Sequence, residues 1–213
     1  MNVQVRLYMI KSILIFLVFS FSLLHSQTLP NSTTKTYEND IVSLDTNQND
    51  PDSFWYMLEE DLSEEEIQSI TESKFKTKEW KQIAVPGNLY QNKEHYAAKK
   101  TVTLAKWVQF PQDSSKQLSF RLGVINDRDR TYLNGKLIGQ TGEWNATDPQ
   151  AYDKLRFYNI PSQLIQYGKK NLLLIRIQPY FGNSGGIEQD ETLLGPTDKV
   201  NARFYKDEFI KLL

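Results

Sequence analysis

The chain has 213 residues, 39% of them hydrophobic and 12% aromatic, which suits one domain with extensions and supplies enough apolar material for a core. A formal net charge of -1 excludes the polybasic signature of a nucleic-acid or anionic-membrane binder. Cysteine is absent, which removes disulfides, thiol nucleophiles and cysteine metal sites together.

Arg6 and Lys11 precede an apolar run from Ile13 to Leu24, and no acidic residue occurs before Glu38. The run has the length of a signal-peptide core and falls short of the roughly 20 residues of a membrane span. Residues 1–26 are read as a signal peptide, with an uncleaved N-terminal anchor as the alternative. A lipid anchor is excluded, because no cysteine could carry it. Removal of this segment leaves 23 basic against 26 acidic residues, a mature net charge of -3. The protein is expected to be exported, to the periplasm or beyond. Residues 27–52 are polar and poor in core formers, and read as a flexible linker.

The domain is expected to begin at residue 53, with "FWYML" at 54–58 as a buried strand. Ser63 followed by Glu66 matches a capping box, and the run Glu64-Glu65-Glu66 suits a first helical turn. From Trp80 the pattern turns to β-structure. "WKQIAVPG" is a short strand. "TVTLAKWVQFP" places Val102, Leu104, Val108 and Phe110 on one side. "QLSFRLGVI" sets Leu118, Phe120, Leu122 and Val124 against Ser119 and Arg121. Next, "RTYLNGKLIGQ" reads as a hairpin, since Asn134-Gly135 is the preferred pair for a type I′ turn. "IPSQLIQYGKKN" is a brief helical turn that Pro161 opens and Gly168 ends. "NLLLIRIQPY" is apolar on both faces and is expected to be a central strand. Many short strands with one or two short helices predict an all-β, antiparallel jelly-roll sandwich over 53–197. Residues 198–213 carry Phe204, Phe209, Ile210 and Leu213 at helical spacing, and read as a C-terminal helix or a truncated linker to a missing segment.

Several of these segments fall in a familiar order: Trp80, Val85-Pro86, Asp127, Asp129, Tyr132, Asn134-Gly135, Ile138-Gly139, Tyr158, Ile160-Pro161, Gly168 and Asn171. The order resembles the galactose-binding-like jelly roll that is the sugar-binding domain of glycoside hydrolase family 2. It also resembles the N-terminal extracytoplasmic domain of bacterial membrane sensors. The resemblance spans roughly residues 54–197. It departs from the hydrolase pattern where two lysines separate Gly168 from Asn171, and the "GNSGGIEQD" loop at 182–190 looks closer to the sensors. The resemblance implies a sugar-binding fold. It does not bring catalysis with it, since the hydrolases hold two carboxylates on a (β/α)₈ barrel of about 250 residues, for which this chain has no room.

Catalytic signals within the chain itself are sparse. Beyond the leader the single histidine is His95, in a polar loop, there is no His-x-x-x-His pair, and "GNSGG" at 182–186, although it spells Gly-x-Ser-x-Gly, is read as a flexible loop. No catalytic residue, metal ligand or cofactor is implied, and no dense oxygen-ligand loop points to calcium. Asp127 and Asp129, two apart on a strand, share a face, with Arg128 and Arg130 on the other. Either the acids meet a ligand or they form a solvated strand end. Trp144, Tyr152, Arg156, Tyr180 and Phe181 fall near loops, where aromatics stack on sugar faces and polar groups bond hydroxyls. The ligand-binding candidates are therefore Asp127, Asp129, Trp144, Tyr152, Arg156 and Tyr180. The expected function is an exported, non-catalytic module for a carbohydrate or other small ligand. The alternatives are a detached sensory input domain and a pure interaction module. A membrane partner is implied only if the leader is retained or the chain is a piece of a membrane protein.

Overall fold

The computed structural model describes residues 41–70, 72–89, 101–110, 116–180 and 185–211. The expected leader, His95, Phe181 and most of the "GNSGG" loop lie outside the described residues. Among those described, eleven strands form two antiparallel sheets. One sheet runs β3 (Lys81–Ile83), β2 (Trp55–Leu58), β4 (Val102–Gln109), β9 (Lys170–Gln178), β6 (Arg128–Leu133), β7 (Lys136–Thr141). The other is built on β5 (Leu118–Asn126). On one edge of β5 lie β11 (Leu193–Pro196) and β10 (Gly186–Gln189), with β1 (Val42–Ser43) outside β11; on the other edge lies β8 (Leu155–Ile160). The sandwich predicted from strand spacing is the observed architecture.

The core between the sheets follows strand parity. Leu104, Val108 and Phe110 from β4 and its end meet Leu118, Phe120 and Leu122 from β5, with Leu173, Ile175 and Ile177 from β9 and Ile160 from β8. Each large apolar side chain sealed this way contributes about 1.5–3 kcal/mol of transfer free energy. β9 lies between β4 and β6, as its two-faced apolar run requires. Its outward Leu172 and Leu174 join a second, smaller core with Leu58, Leu62, Ile67, Phe75 and Tyr132. That core sits beneath two short helices, α1 (Glu64–Ser69) and α2 (Glu72–Phe75). The capping box that opens α1 is formed as predicted: Ser63 Oγ accepts from Glu66 N–H and the Glu66 carboxylate accepts from Ser63 N–H.

Two expectations are corrected. The sandwich begins about ten residues before residue 53, inside the segment read as linker. Short, polar β1 pairs with β11, Leu44 enters the core, and Asp45 accepts from the N–H and hydroxyl of Thr192. A two-residue edge strand is too short to give an alternation signal. On β5, parity breaks at a bulge near Gly123, so that Ile125 rather than Val124 enters the core. Gly123 has φ +68°, and a Cβ there would lie 2.3 Å from the Gln189 carbonyl, so the close approach of β10 needs glycine. Ser119 and Arg121 face away from the core yet are buried, because α3 (Thr197–Lys211) packs over this face of β5 and β11. Ser119 Oγ lies 2.7 Å from Thr197 Oγ1 at the start of that helix.

Candidate functional site

The β6–β7 hairpin is the framework of the site. Asn134 (φ 49°) and Gly135 (φ 80°) form the left-handed pair that a type I′ turn demands. Asn134 also ties the turn down: its amide donates to the Leu164 carbonyl and to Asn171 Oδ1, and its oxygen accepts from Leu172 N–H. A Cβ on Gly135 would meet the backbone of α1 at Gln68, 2.9 Å away. In the returning strand, Gly139 gives the Tyr158 ring room; a Cβ there would lie 2.1 Å from it.

Inward-facing polar groups close one end of the sandwich. Asp129 is fully buried and accepts from Arg156 Nε at 2.8 Å, Thr131 Oγ1 at 2.8 Å and the Tyr158 hydroxyl at 3.0 Å. The pair thus bridges the two sheets, since Asp129 stands on β6 and Arg156 on β8. Burial pushes the Asp129 carboxyl up from its ordinary value, while Arg156 and the two hydroxyls pull against it. Tyr158 is also raised, by burial and then by the Asp129 charge. Asp127, fully buried just before β6, accepts from Ala151 N–H at 2.7 Å and lies 3.2 Å from Arg128 Nη2. Arg156 donates to the carbonyls of Asp127, Ala151 and Lys154. Arg128 donates to those of Ala146 and Asp148. Together these groups fasten the 142–154 loop to the sandwich.

That loop carries Trp144 over the outer face of the six-stranded sheet. Asn145 holds it there through a reciprocal pair with Gln178 at the end of β9: Asn145 N–H donates to Gln178 Oε1 at 2.8 Å, and Gln178 Nε2 donates to Asn145 Oδ1 at 2.7 Å. The half-buried indole lies on two guanidinium groups, Arg130 at 5.0 Å and Arg176 at 4.9 Å from the ring centroid. These arginines are cross-strand partners on β6 and β9. Glu64 Oε1, at the start of α1, accepts from Arg176 at 3.0 Å, Arg130 at 3.3 Å and the Tyr132 hydroxyl at 2.7 Å. Arg176 also pairs with Asp61. Its burial opposes its charge, but Asp61 and the Tyr132 hydroxyl outweigh burial and raise its pKa. The indole itself is only partly buried. The result is an aromatic platform rimmed by charged hydrogen-bonding groups.

The six expected ligand residues therefore separate. Asp127, Asp129 and Arg156 are sealed inside, neither ligand-facing nor a solvated strand end. Their side chains are spent on the loop and on each other. Asp127 also precedes β6 rather than sharing a regular strand face with Asp129. Trp144 and the exposed Tyr152 stand on the loop, and Tyr180 is half-buried just past β9. Sequence reasoning missed Arg130, Arg176, Glu64, Asp61 and Tyr132 as neighbours of Trp144. A signal existed for Arg176: one cation inside the apolar run of a central strand must find a partner.

Among the described residues no group of three or more His, Asp or Glu could hold a metal ion, and no helix is long and apolar enough to cross a membrane. No protein-family model and no curated protein matches the chain. Solved structures do. The chain is similar to a β-glucuronidase 2 from Bacteroides uniformis, with TM-score 0.52 and 19% identity over 73% of this chain and 18% of that one. It is similar to a glycosyl hydrolase family 2 member from Bacteroides cellulosilyticus, with TM-score 0.52 and 17% identity over 73% of this chain and 20% of that one. A Bifidobacterium dentium β-glucuronidase gives TM-score 0.52 and 16% identity over 73% of this chain and 30% of that one. The chain thus spans less than a third of the length of these enzymes, and at such identities what it shares with them is the fold of its β-sandwich.

Proposed function

We propose that this chain is an exported, non-catalytic β-sandwich module that binds a carbohydrate or a similar small ligand on the Trp144 face. One observation carries the reading: a partly exposed indole that packs on Arg130 and Arg176, which in turn hold the carboxylates of Glu64 and Asp61. A flat ring suits the apolar face of a sugar, and charged donors and acceptors around it suit hydroxyls. The fold shared with carbohydrate-processing enzymes supports the reading. Non-catalytic status is supported by the sealing of Asp127 and Asp129, which no substrate reaches in this packing. Export rests on the leader-like composition of residues 1–26. The sensory alternative finds no support of its own among the described residues.

Titration of the purified chain against an oligosaccharide panel tests the binding claim. Binding that disappears in Trp144→Ala, while the variant keeps its unfolding transition, is the expected result. Failure of every glycan to bind contradicts it. Purified protein should not turn over aryl β-glycosides, and its mature N-terminus should lie near Gln27. Intact Met1 in a soluble cytoplasmic fraction would refute export.

A further inference from the structure

Resting on the same site, we propose that the Trp144 face selects neutral, hydroxyl-rich sugars and rejects uronic acids and other anionic glycans. The inference comes from where the two signs of charge lie. Arg176, the guanidinium most fully paired, is 7% exposed, and it is spent on Glu64 and Asp61. Arg130 is 30% exposed and gives one of its nitrogens to Glu64. The acids are more open: Asp61 is 49% exposed and Glu64 44%. Next to them Glu65 is exposed as well, and Glu60 is exposed but paired with Lys78. The basic half of the platform is therefore turned in under the indole, and the acidic half is turned out to solvent.

A ligand that settles on the exposed part of the Trp144 patch meets carboxylates that are more open than the guanidiniums. Carboxylates accept hydrogen bonds and cannot donate them, so they suit sugar hydroxyls. A ligand carboxylate would face like charge, and Arg176, which two acids already hold, offers it no bidentate capture. Among themselves the charges of Asp61, Glu64, Arg130 and Arg176, two of each sign, balance without a ligand. A neutral ligand leaves that balance intact, while an anionic one adds an unpaired charge to a partly dry surface.

The test is calorimetric titration of the full chain with matched oligosaccharides. Neutral gluco-, galacto- and manno-oligomers form one arm and oligogalacturonate and oligoglucuronate of equal length the other, each at low and high salt. Neutral oligomers should bind about tenfold or more tightly than acidic ones, the scale of like-charge contact. Raising the salt should leave neutral binding unchanged and narrow the gap, because screening weakens the repulsion. Asp61→Asn, which keeps the side-chain shape and removes an exposed charge, should narrow it too. Should uronates bind as tightly as neutral sugars, or more so, this inference fails while the carbohydrate-binding reading stands. Neutral binding that persists in Trp144→Ala places the site elsewhere and overturns the inference. If neither arm binds, the functional reading falls and this one with it.

Discussion

Two groups of ion pairs lie within one hairpin's reach, and they differ in what covers them. The Asp129–Arg156 pair faces inward, bridges the sheets and is wholly buried. The Glu64, Asp61, Arg130 and Arg176 group faces outward and is half open. A buried pair is held by necessity: removing one partner strands a charge in a medium that cannot solvate it. An open group can exchange a partner for water or for a ligand at little cost. Alternation along β6 sends Asp129 and Thr131 into the sandwich and Arg130 and Tyr132 out of it, so neighbouring residues take opposite roles.

Breaking the sealed pair should have the largest effect. Arg156→Ala leaves Asp129 buried without its cation and frees three carbonyls, two of them in the loop, so a loss of about 3–5 kcal/mol is expected in denaturant unfolding. Glu64→Gln in the open group should cost about 1 kcal/mol, because Glu64 is in reach of water and the buried Arg176 keeps its pair with Asp61. Equal losses for the two variants would erase the distinction between the groups.

The hairpin turn gives the next effect. Gly135→Val forces a β-branched residue to positive φ against the α1 backbone, and should cost about 1–3 kcal/mol or more. A transition within error of the wild type would mean that the turn does not hold the outer face in place.

Smaller still is the effect at the start of α1, which presents Glu64. Ser63→Ala should cost about 1 kcal/mol by removing the cap. The Glu66 carboxyl is held below its ordinary value, first by its hydrogen bond from the Ser63 backbone. A depressed folded pKa adds stability above the unfolded value that is lost as pH falls through the folded one. Stability should therefore drop on acidification below about pH 4.5, and drop less in Glu66→Gln. An identical acid profile in the variant would discount the capping box.

The fold was legible because its signals are local. Alternation on β4 and β5, the Asn134-Gly135 turn and the Ser63–Glu66 cap each need only a few consecutive residues. The errors arose where distant segments decide. Val124 and Ile125 exchanged faces because β5 bulges near Gly123 in its pairing with β8, and β1 was hidden because its partner lies about 150 residues away. The site was legible only at Trp144. Asp127, Asp129 and Arg156 look like surface charges in a one-dimensional pattern, yet a loop and the opposite sheet seal them. Arg130 and Arg176 stand 46 positions apart and meet only by strand pairing, while Glu64 reaches both from a helix whose acids had a sufficient local explanation.

The central claim is that the outer group serves binding and the inner one serves folding. The direct measurement is Trp144→Ala beside Arg156→Ala, each followed by denaturant unfolding and by titration with a neutral oligosaccharide. The account predicts that Trp144→Ala unfolds within about 1 kcal/mol of the wild type, the scale of an exposed cation–π contact, and loses the sugar. Arg156→Ala should lose several kcal/mol of stability. If Trp144→Ala unfolds as easily as Arg156→Ala, or binds the sugar undiminished, the indole is a packing residue and the account is wrong.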